Sequence, residues 1–510
     1  MPSSTKLLRL IAALPLVLVA VAPLRAAETF DIGLSTAGAP IRAVTVPDGD
    51  ASRPTVVVIG GLAGEDASTA EVRAAVAEFE RVPERERGVR LLAVPVANPD
   101  GAALEFPPTG VAYREHSESH ALWRWLGTQG PDLVLVAGED RGLAAGLAAE
   151  APAGVGRIPV RRWDGFAELR ALTAADVPPS EARRELERRR ARTPRQVAQA
   201  LGEHYGHEFQ RAWYIEAIAL LAQIELGHLD EVRRLVEPYV NGEKDSLARP
   251  NALVMAGHIV FTELARRTGD PRYVAAVRKV ADLGFEPDGR MKEAMPYHNE
   301  FSDSVFMGTV IAAQAGALTG ERKYFDLAAR HLAFMQNLVR RPDGLYRHQP
   351  ATDAAWGRGN GFVALGLALT LTELPADHPA YASTLQSYRD HMAVLLPFQT
   401  RDGLWRNVID HEGAYAEFSA TAMIGFAMLR GLRSGWIEGA EYERAVDAAW
   451  RAVSSRASSD GVLIDVCEST ARFTSLEEYL RRAAILDRDP RGGAMAMLFA
   501  TELMKAREEG

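Results

Sequence analysis

Two hydrophobic periodicities divide the chain. Before about residue 172, short apolar runs stand alone: Val56-Val57-Val58-Ile59, Leu91-Leu92-Ala93-Val94-Pro95-Val96 and Leu133-Val134-Leu135-Val136. Short continuous runs of this kind mark strands buried on both faces. Amphipathic stretches at 70–79 and 116–126 lie between them. Strands alternating with helices predict parallel βαβ units. Further on, apolar positions recur every three and four residues. That spacing predicts helices over 209–226, 229–240, 253–268, 273–283, 304–318 and 324–339. It predicts more over 363–374, 381–396, 420–432, 442–453 and 494–508. Several are apolar nearly all round, as helices buried on most faces are.

The helical part repeats. Asp-Gly recurs at Asp288-Gly289, Asp343-Gly344, Asp402-Gly403 and Asp460-Gly461, at steps of 55, 59 and 58 residues. Thr268-Gly269-Asp270 with Tyr273 is echoed 51 residues later by Thr319-Gly320-Glu321 with Tyr324. A step of this size holds two helices and their turns, so repeated helix pairs stack or close around a shared core. The segment divides into close to six pairs, the count of an (α/α)6 barrel; an open solenoid is the other architecture. Turns at one phase of the repeat share one end, where connecting loops build a cleft.

Between the two regions, Val177-Pro178-Pro179 breaks the chain, and a dense Arg/Glu run follows from Arg183 to Arg195. That run reads as a solvated linker helix. The expected organisation is therefore a signal peptide at 1–27, an α/β domain at 28–175, a linker at 176–198 and a helical barrel at 199–510. At 510 residues the chain is too long for one ordinary core.

A net charge of −9 leaves no basic surplus for phosphates and excludes general nucleic-acid binding. Lys6 and Arg9, the apolar stretch 10–22 and the small residues at Ala26 and Ala27 read as an export signal. No membrane span is expected after cleavage, and a periplasmic or secreted location is. Cys467 is the single cysteine, so no internal disulfide forms.

Candidate chemistry gathers in the helical region. Trp356-Gly357-Arg358-Gly359-Asn360-Gly361-Phe362 combines glycines that permit close approach with a guanidinium that can grip a carboxylate. Trp356 offers a flat face for a sugar ring. Asn360 can bond hydroxyls. On position alone, Asp303 reads as an N-cap.

These motifs, in this order, resemble the unsaturated glucuronyl and rhamnogalacturonyl hydrolases, glycoside hydrolase families 88 and 105. The resemblance runs from roughly 205 to 505. It is carried by Phe301-Ser302-Asp303-Ser304-Val305-Phe306-Met307, Asp343 to His348, Trp356 to Phe362, Asp402 to Trp405, Glu417 to Met423 and Gly461 to Cys467. It implies a substrate with a terminal uronic acid that carries a C4=C5 double bond. An acid protonates C4, water adds at C5, the hemiketal opens and the glycosidic bond is lost. This differs from glycosidases that flank the scissile oxygen with two carboxylates.

The resemblance makes Asp303 the proton donor and Arg358 the partner of the substrate carboxylate. His348, Trp356, Asn360, Phe362, Phe301, Asn251 and Trp405 are the further expected substrate contacts. His348 reads alternatively as a solvated turn residue, Trp405 as core, and Glu417 as a helix cap. Phe301 and Phe362 stand where the families usually carry Trp. Asn251 stands where they often place a second acid, and His298 and Glu300 lie close before Asp303 as groups that could compensate. No cofactor or metal is implied, and the partner is a uronic-acid-containing oligosaccharide.

Residues 54 to about 140 resemble the zinc carboxypeptidase fold through Gly60-Gly61-Leu62-Ala63-Gly64-Glu65-Asp66 and Asn98-Pro99-Asp100-Gly101. Ala63 stands at the first His position, Asp66 at the Glu position, and Glu139 near the last His. Zinc needs the missing imidazoles, so the expected fold class is multidomain: a metal-free carboxypeptidase-like α/β domain plus an all-α (α/α)6 barrel. The alternative function is a non-catalytic carbohydrate-binding protein built from two degenerate enzyme domains. Another (α/α)6 enzyme, an epimerase or a lyase, is a third reading.

Overall fold

A computed structural model of the chain describes residues 26–297 and 300–509. The expected export signal falls almost wholly on 1–25, outside the described residues, and so does His298. Among the described residues no helix is long and apolar enough to cross a membrane.

The N-terminal region builds a six-stranded sheet from β1 (Glu28–Leu34), β2 (Pro40–Thr45), β3 (Thr55–Ile59), β4 (Arg90–Val94), β5 (Leu133–Val136) and β6 (Val160–Arg162). Their order is β1-β2-β4-β3-β5-β6. The three expected strands pair in parallel, β4 and β5 flanking β3. The β1–β2 hairpin joins β4 antiparallel, so the sheet is mixed. Its strands are only partly buried and lack the continuous apolar run that betrayed the others. Successive residues of β3 face opposite ways. Val56 and Val58 pack with Val72 and Phe79 of α1 (Ala67–Arg81), while Val57 and Ile59 pack with Leu122 and Leu126 of α2 (Ser117–Gln129). Asp66 caps α1, accepting from the Ser68 amide at 2.9 Å and its hydroxyl at 2.5 Å. A Cβ on Gly138 would stand 4.0 Å from its other carboxylate oxygen.

The helical region closes on itself. The inner helices are Tyr214–Glu225, Ala252–Gly257 continuing as Ile259–Thr268, Ser304–Met307 continuing as Thr309–Thr319, Gly357–Glu373, Phe418–Arg433 and Pro490–Glu509. Each packs on the next and the last on the first, so the ring is closed and not an open solenoid. Leu229–Val240, Pro271–Ala281, Arg322–Val339, Tyr381–Leu395, Ala440–Arg456 and Pro194–Gly202 each back one inner helix. The four Asp-Gly turns all lead from an outer helix to an inner one, which puts them at one end. Gly289, Gly344, Gly403 and Gly461 have φ of 83°, 90°, 89° and 83°, which glycine adopts without the penalty a Cβ imposes.

The expected solvated linker is corrected. Helix Glu181–Arg190 buries Ala182 and Leu186, an i,i+4 apolar pair hidden inside the charge run, in the core that α2 shares with the barrel. Arg183 pairs with Asp132 at 2.7 Å, and Arg189 donates to the Ser455 carbonyl of the barrel at 3.3 Å. That same core includes Trp356, Tyr415, Cys467 and Tyr479, so the sheet domain is packed against the turn end of the barrel. Asp465 bonds across the junction, accepting from Arg124 of α2 at 2.5 Å and from Arg456 at 3.2 Å.

The helix expected over 363–374 starts earlier, and the glycines of 357–361 form the start of the inner helix Gly357–Glu373. They permit close approach: Gly357 to the Arg406 backbone, Gly359 to Ser302 and Gly361 to helix Phe418–Arg433. The same holds at Gly366, where a Cβ would stand 2.7 Å from the Val305 backbone, in the turn that carries Asp303. Gly366→Ala is expected to lower stability by about 1–3 kcal/mol, because overpacking against backbone cannot relax by a rotamer change. Urea unfolding of the two proteins measures it, and an unchanged midpoint would contradict the close contact.

Candidate active site

Asp303 opens the short helix Ser304–Met307 and makes no side-chain cap bond, so the N-cap reading fails. Its side chain is 9% exposed. His348, from the loop after the second Asp-Gly turn, brings Nε2 to 3.7 Å from Asp303 Oδ1. Thr470 donates weakly to Oδ2 at 3.5 Å. Burial therefore dominates, and it lifts the Asp303 pKa from the ordinary 3.8 to about 6, against the pull of Arg358 and the Thr470 bond. Half of the molecules then carry the proton near pH 6, the poise a general acid needs.

His348 is fully buried rather than a solvated turn residue. Its Nδ1 shares a 2.6 Å hydrogen bond with the Tyr479 hydroxyl, and Phe301 stacks on the ring at 4.4 Å. Burial first, then Arg482, Arg358 and Arg472, push its pKa down to about 3. The imidazole is neutral at working pH. It orients and hydrogen-bonds without adding charge.

The structure brings Asp303, His348 and Phe301 together. It places the other expected contacts differently. Arg358 is buried and bonded inward: Nε donates to Ser419 at 3.0 Å, Nη1 to the Glu468 carbonyl at 3.2 Å, and Nη2 to the Cys467 carbonyl. Glu417 lies 3.8 Å from it. Glu417 itself caps helix Phe418–Arg433, as its alternative reading held. Trp356 is no open sugar platform. It is fully buried, Arg358 and Arg482 lie over its ring at 5.5 and 5.3 Å, and its indole N–H donates to Asn407 at 3.1 Å. Asn360 spends its amide on the backbone of Tyr346 and Trp356. Phe362 packs in the barrel core against Tyr214 at 5.5 Å and Phe306 at 5.6 Å. Trp405 is core, its indole N–H on the Leu395 carbonyl at 2.8 Å. Asn251 caps helix Ala252–Gly257 through the Val254 amide at 3.0 Å. Glu300 is exposed.

Ser302, Thr470, Arg472, Tyr479 and Arg482 were not anticipated. Four of them belong to the stretch between the fourth Asp-Gly turn and the last inner helix. Their signal was the repeat phase: His348 occupies the same interval after the second turn. Arg472 is exposed and lies over the Phe301 ring at 5.6 Å.

A closed helical ring thus carries at its turn end a buried acid, Asp303, that makes no capping bond. The chain belongs to Glycosyl Hydrolase Family 88, whose family model matches residues 193–507. Unsaturated rhamnogalacturonyl hydrolase YesR of Bacillus subtilis is 23% identical over 300 residues, 55% of this chain and 85% of that protein. Unsaturated 3S-rhamnoglycuronyl hydrolase of Formosa agariphila is 34% identical over 108 residues, 21% of this chain and 29% of that protein. A possible GH105 member from Salmonella enterica serovar Paratyphi A superposes with a TM-score of 0.52 at 20% identity, covering 64% of this chain and 94% of that one. That likeness speaks for the fold. Family membership makes the protein a glycoside hydrolase of the unsaturated uronyl hydrolase type. The non-catalytic alternative is not favoured by these relatives. The sheet domain lies outside the family match.

The raised pKa has a stability consequence. Below pH 3.8 the carboxyl is protonated folded or unfolded, and no penalty exists. The penalty grows as pH rises to about 6 and is constant above it. Asp303→Asn removes the charge, so it is expected to stabilise the protein at pH 7 by about 1–3 kcal/mol, at 1.36 kcal/mol per pKa unit. Unfolding at pH 7 and pH 4 measures this. Equal differences at both pH values would contradict the buried-charge account.

Proposed function

We propose that the protein removes a terminal 4,5-unsaturated uronic acid from lyase-generated oligosaccharides, with Asp303 as the proton donor. The observation that carries this is the buried, uncapped Asp303 carboxyl with its pKa lifted to about 6 beside a neutral His348. The protonated carboxyl gives its proton to C4, and positive charge develops at C5 and the ring oxygen. Water adds at C5 and returns a proton to the Asp303 carboxylate. The C5 hemiketal opens by breaking the C5–ring-oxygen bond. C1 is then a hemiacetal that expels the aglycone alcohol. One carboxyl serves as acid and then base. Phe301 and Arg472 stand at the exposed edge, where the sugar enters.

The expected organisation stands as part of this reading: signal peptide 1–27, sheet domain 28–175, connecting segment 176–198, barrel 199–510, and export to the periplasm or beyond. Residues 28–175 read as a carboxypeptidase-like scaffold. Asp66 serves as a helix cap there, and Ala63 offers no imidazole.

Incubation with lyase products of pectin, ulvan or a glycosaminoglycan is expected to abolish the ultraviolet absorbance of the conjugated double bond. No loss with any of them would refute the reaction. Asp303→Asn is expected to slow the loss by at least about 10²–10⁴-fold. The donor must be protonated, so kcat/KM is expected to fall as pH rises through about 6. A rate that climbs from pH 6 to 8 would exclude Asp303 as the acid.

A further inference from the structure

Four buried side chains at the site end in an atom without a hydrogen-bond partner: Ser302 Oγ, Asp303 Oδ1, His348 Nε2 and Arg482 Nη1. Buried polar atoms are satisfied in most folds, so a cluster of orphans marks a place prepared for a polar ligand. Ser302 and Asp303 are neighbours in the chain. The Trp356 ring links the other two, with His348 at 4.5 Å and the Arg482 guanidinium at 5.3 Å from its centroid.

The two buried arginines differ. Every guanidinium nitrogen of Arg358 already donates to an internal oxygen, and Glu417 balances its charge. Arg482 is fully buried as well. Its Nε donates to Cys467 Sγ and its Nη2 to the Glu468 carbonyl, both at 3.3 Å. Nη1 is left over, without a hydrogen-bond partner among the described residues. A buried, uncompensated guanidinium is unfavourable unless an anion arrives to meet it.

We infer that Arg482 receives the carboxylate of the terminal sugar, the duty the sequence suggested for Arg358, which instead ties its helix start to residues 467–468. The inference rests on the unsaturated-uronide reading. The carboxylate is joined to C5, and C4 is the next ring atom. Holding the carboxylate at Arg482 therefore sets which face of C4 meets Asp303. It also has an electrostatic effect. Arg482 pulls the Asp303 pKa down in the free enzyme. A bound carboxylate cancels that pull, so substrate raises the protonated fraction of its own acid.

The test uses two unsaturated digalacturonides, one a free acid and one its methyl ester, with the wild type, Arg482→Met and Arg482→Lys. Arg482→Met is expected to lower kcat/KM about 100-fold for the acid and less than about 5-fold for the ester, the size of a charge-assisted fork lost. Arg482→Lys keeps the charge, guards against a folding defect, and is expected to lose about 10-fold of the acid preference. In the wild type the alkaline limb of kcat should lie at higher pH than that of kcat/KM, and the gap should close in Arg482→Met. Equal losses on both substrates, or an undiminished acid preference, would overturn the assignment. If the wild type turns over neither substrate, the proposed reaction fails. Calorimetry of the same two saccharides then decides the contact alone: tighter binding of the acid, lost in Arg482→Met and partly kept in Arg482→Lys, supports it, and equal affinities refute it.

Discussion

Closing six helix pairs into a ring forces every inner helix to start at the same end. All the outer-to-inner connections must then crowd there, and with them the Asp-Gly turns. Asp303, His348, Glu417 and Arg482 are far apart in sequence, yet each sits in or next to such a connection. The ring therefore assembles the site before any side chain is considered. It also buries it, because the connections pack on each other and on the sheet domain.

Burial then decides the chemistry. A carboxyl at a helix start would ordinarily cap that helix and stay ionised. Glu417 does so, accepting from the amides of Ser419 and Ala420. Asp303 sits at the equivalent place two helix pairs earlier, caps nothing, and keeps an oxygen without a partner. Two acids in matching positions thus differ: one is spent on a helix cap, the other is buried and left uncapped. The sheet domain belongs to the same economy of contacts. The strand Leu463–Cys467 links the junction ion pair at Asp465 to the arginine contacts at Cys467, so the barrel end is fixed from both sides.

The ring was legible because its signals are periodic: helical spacing and Asp-Gly at a constant phase. Residues 229–240 matched their helix to the residue. The Asp303 motif was singled out through family resemblance, whereas on position alone it read as an N-cap. What escaped was whatever depends on contact at long range. The glycines of 357–361 do not tell from sequence what fills the space a Cβ would take: the Arg406 backbone at Gly357, Ser302 at Gly359 and helix Phe418–Arg433 at Gly361. Trp356, Asn360 and Phe362 form a recognisable motif, but a motif does not say which way its side chains face. The edge hairpin β1–β2 was missed because half-buried strands lack an apolar run. Arg482 lies in a stretch without a motif, and only the orphaned Nη1 singles it out.

The central claim is that burial holds the Asp303 carboxyl protonated up to about pH 6. Difference infrared titration of the wild type against Asp303→Asn isolates the C=O stretch of this one carboxylic acid. The account predicts a band that disappears with a midpoint near pH 6. A midpoint at or below the ordinary 3.8 would contradict it.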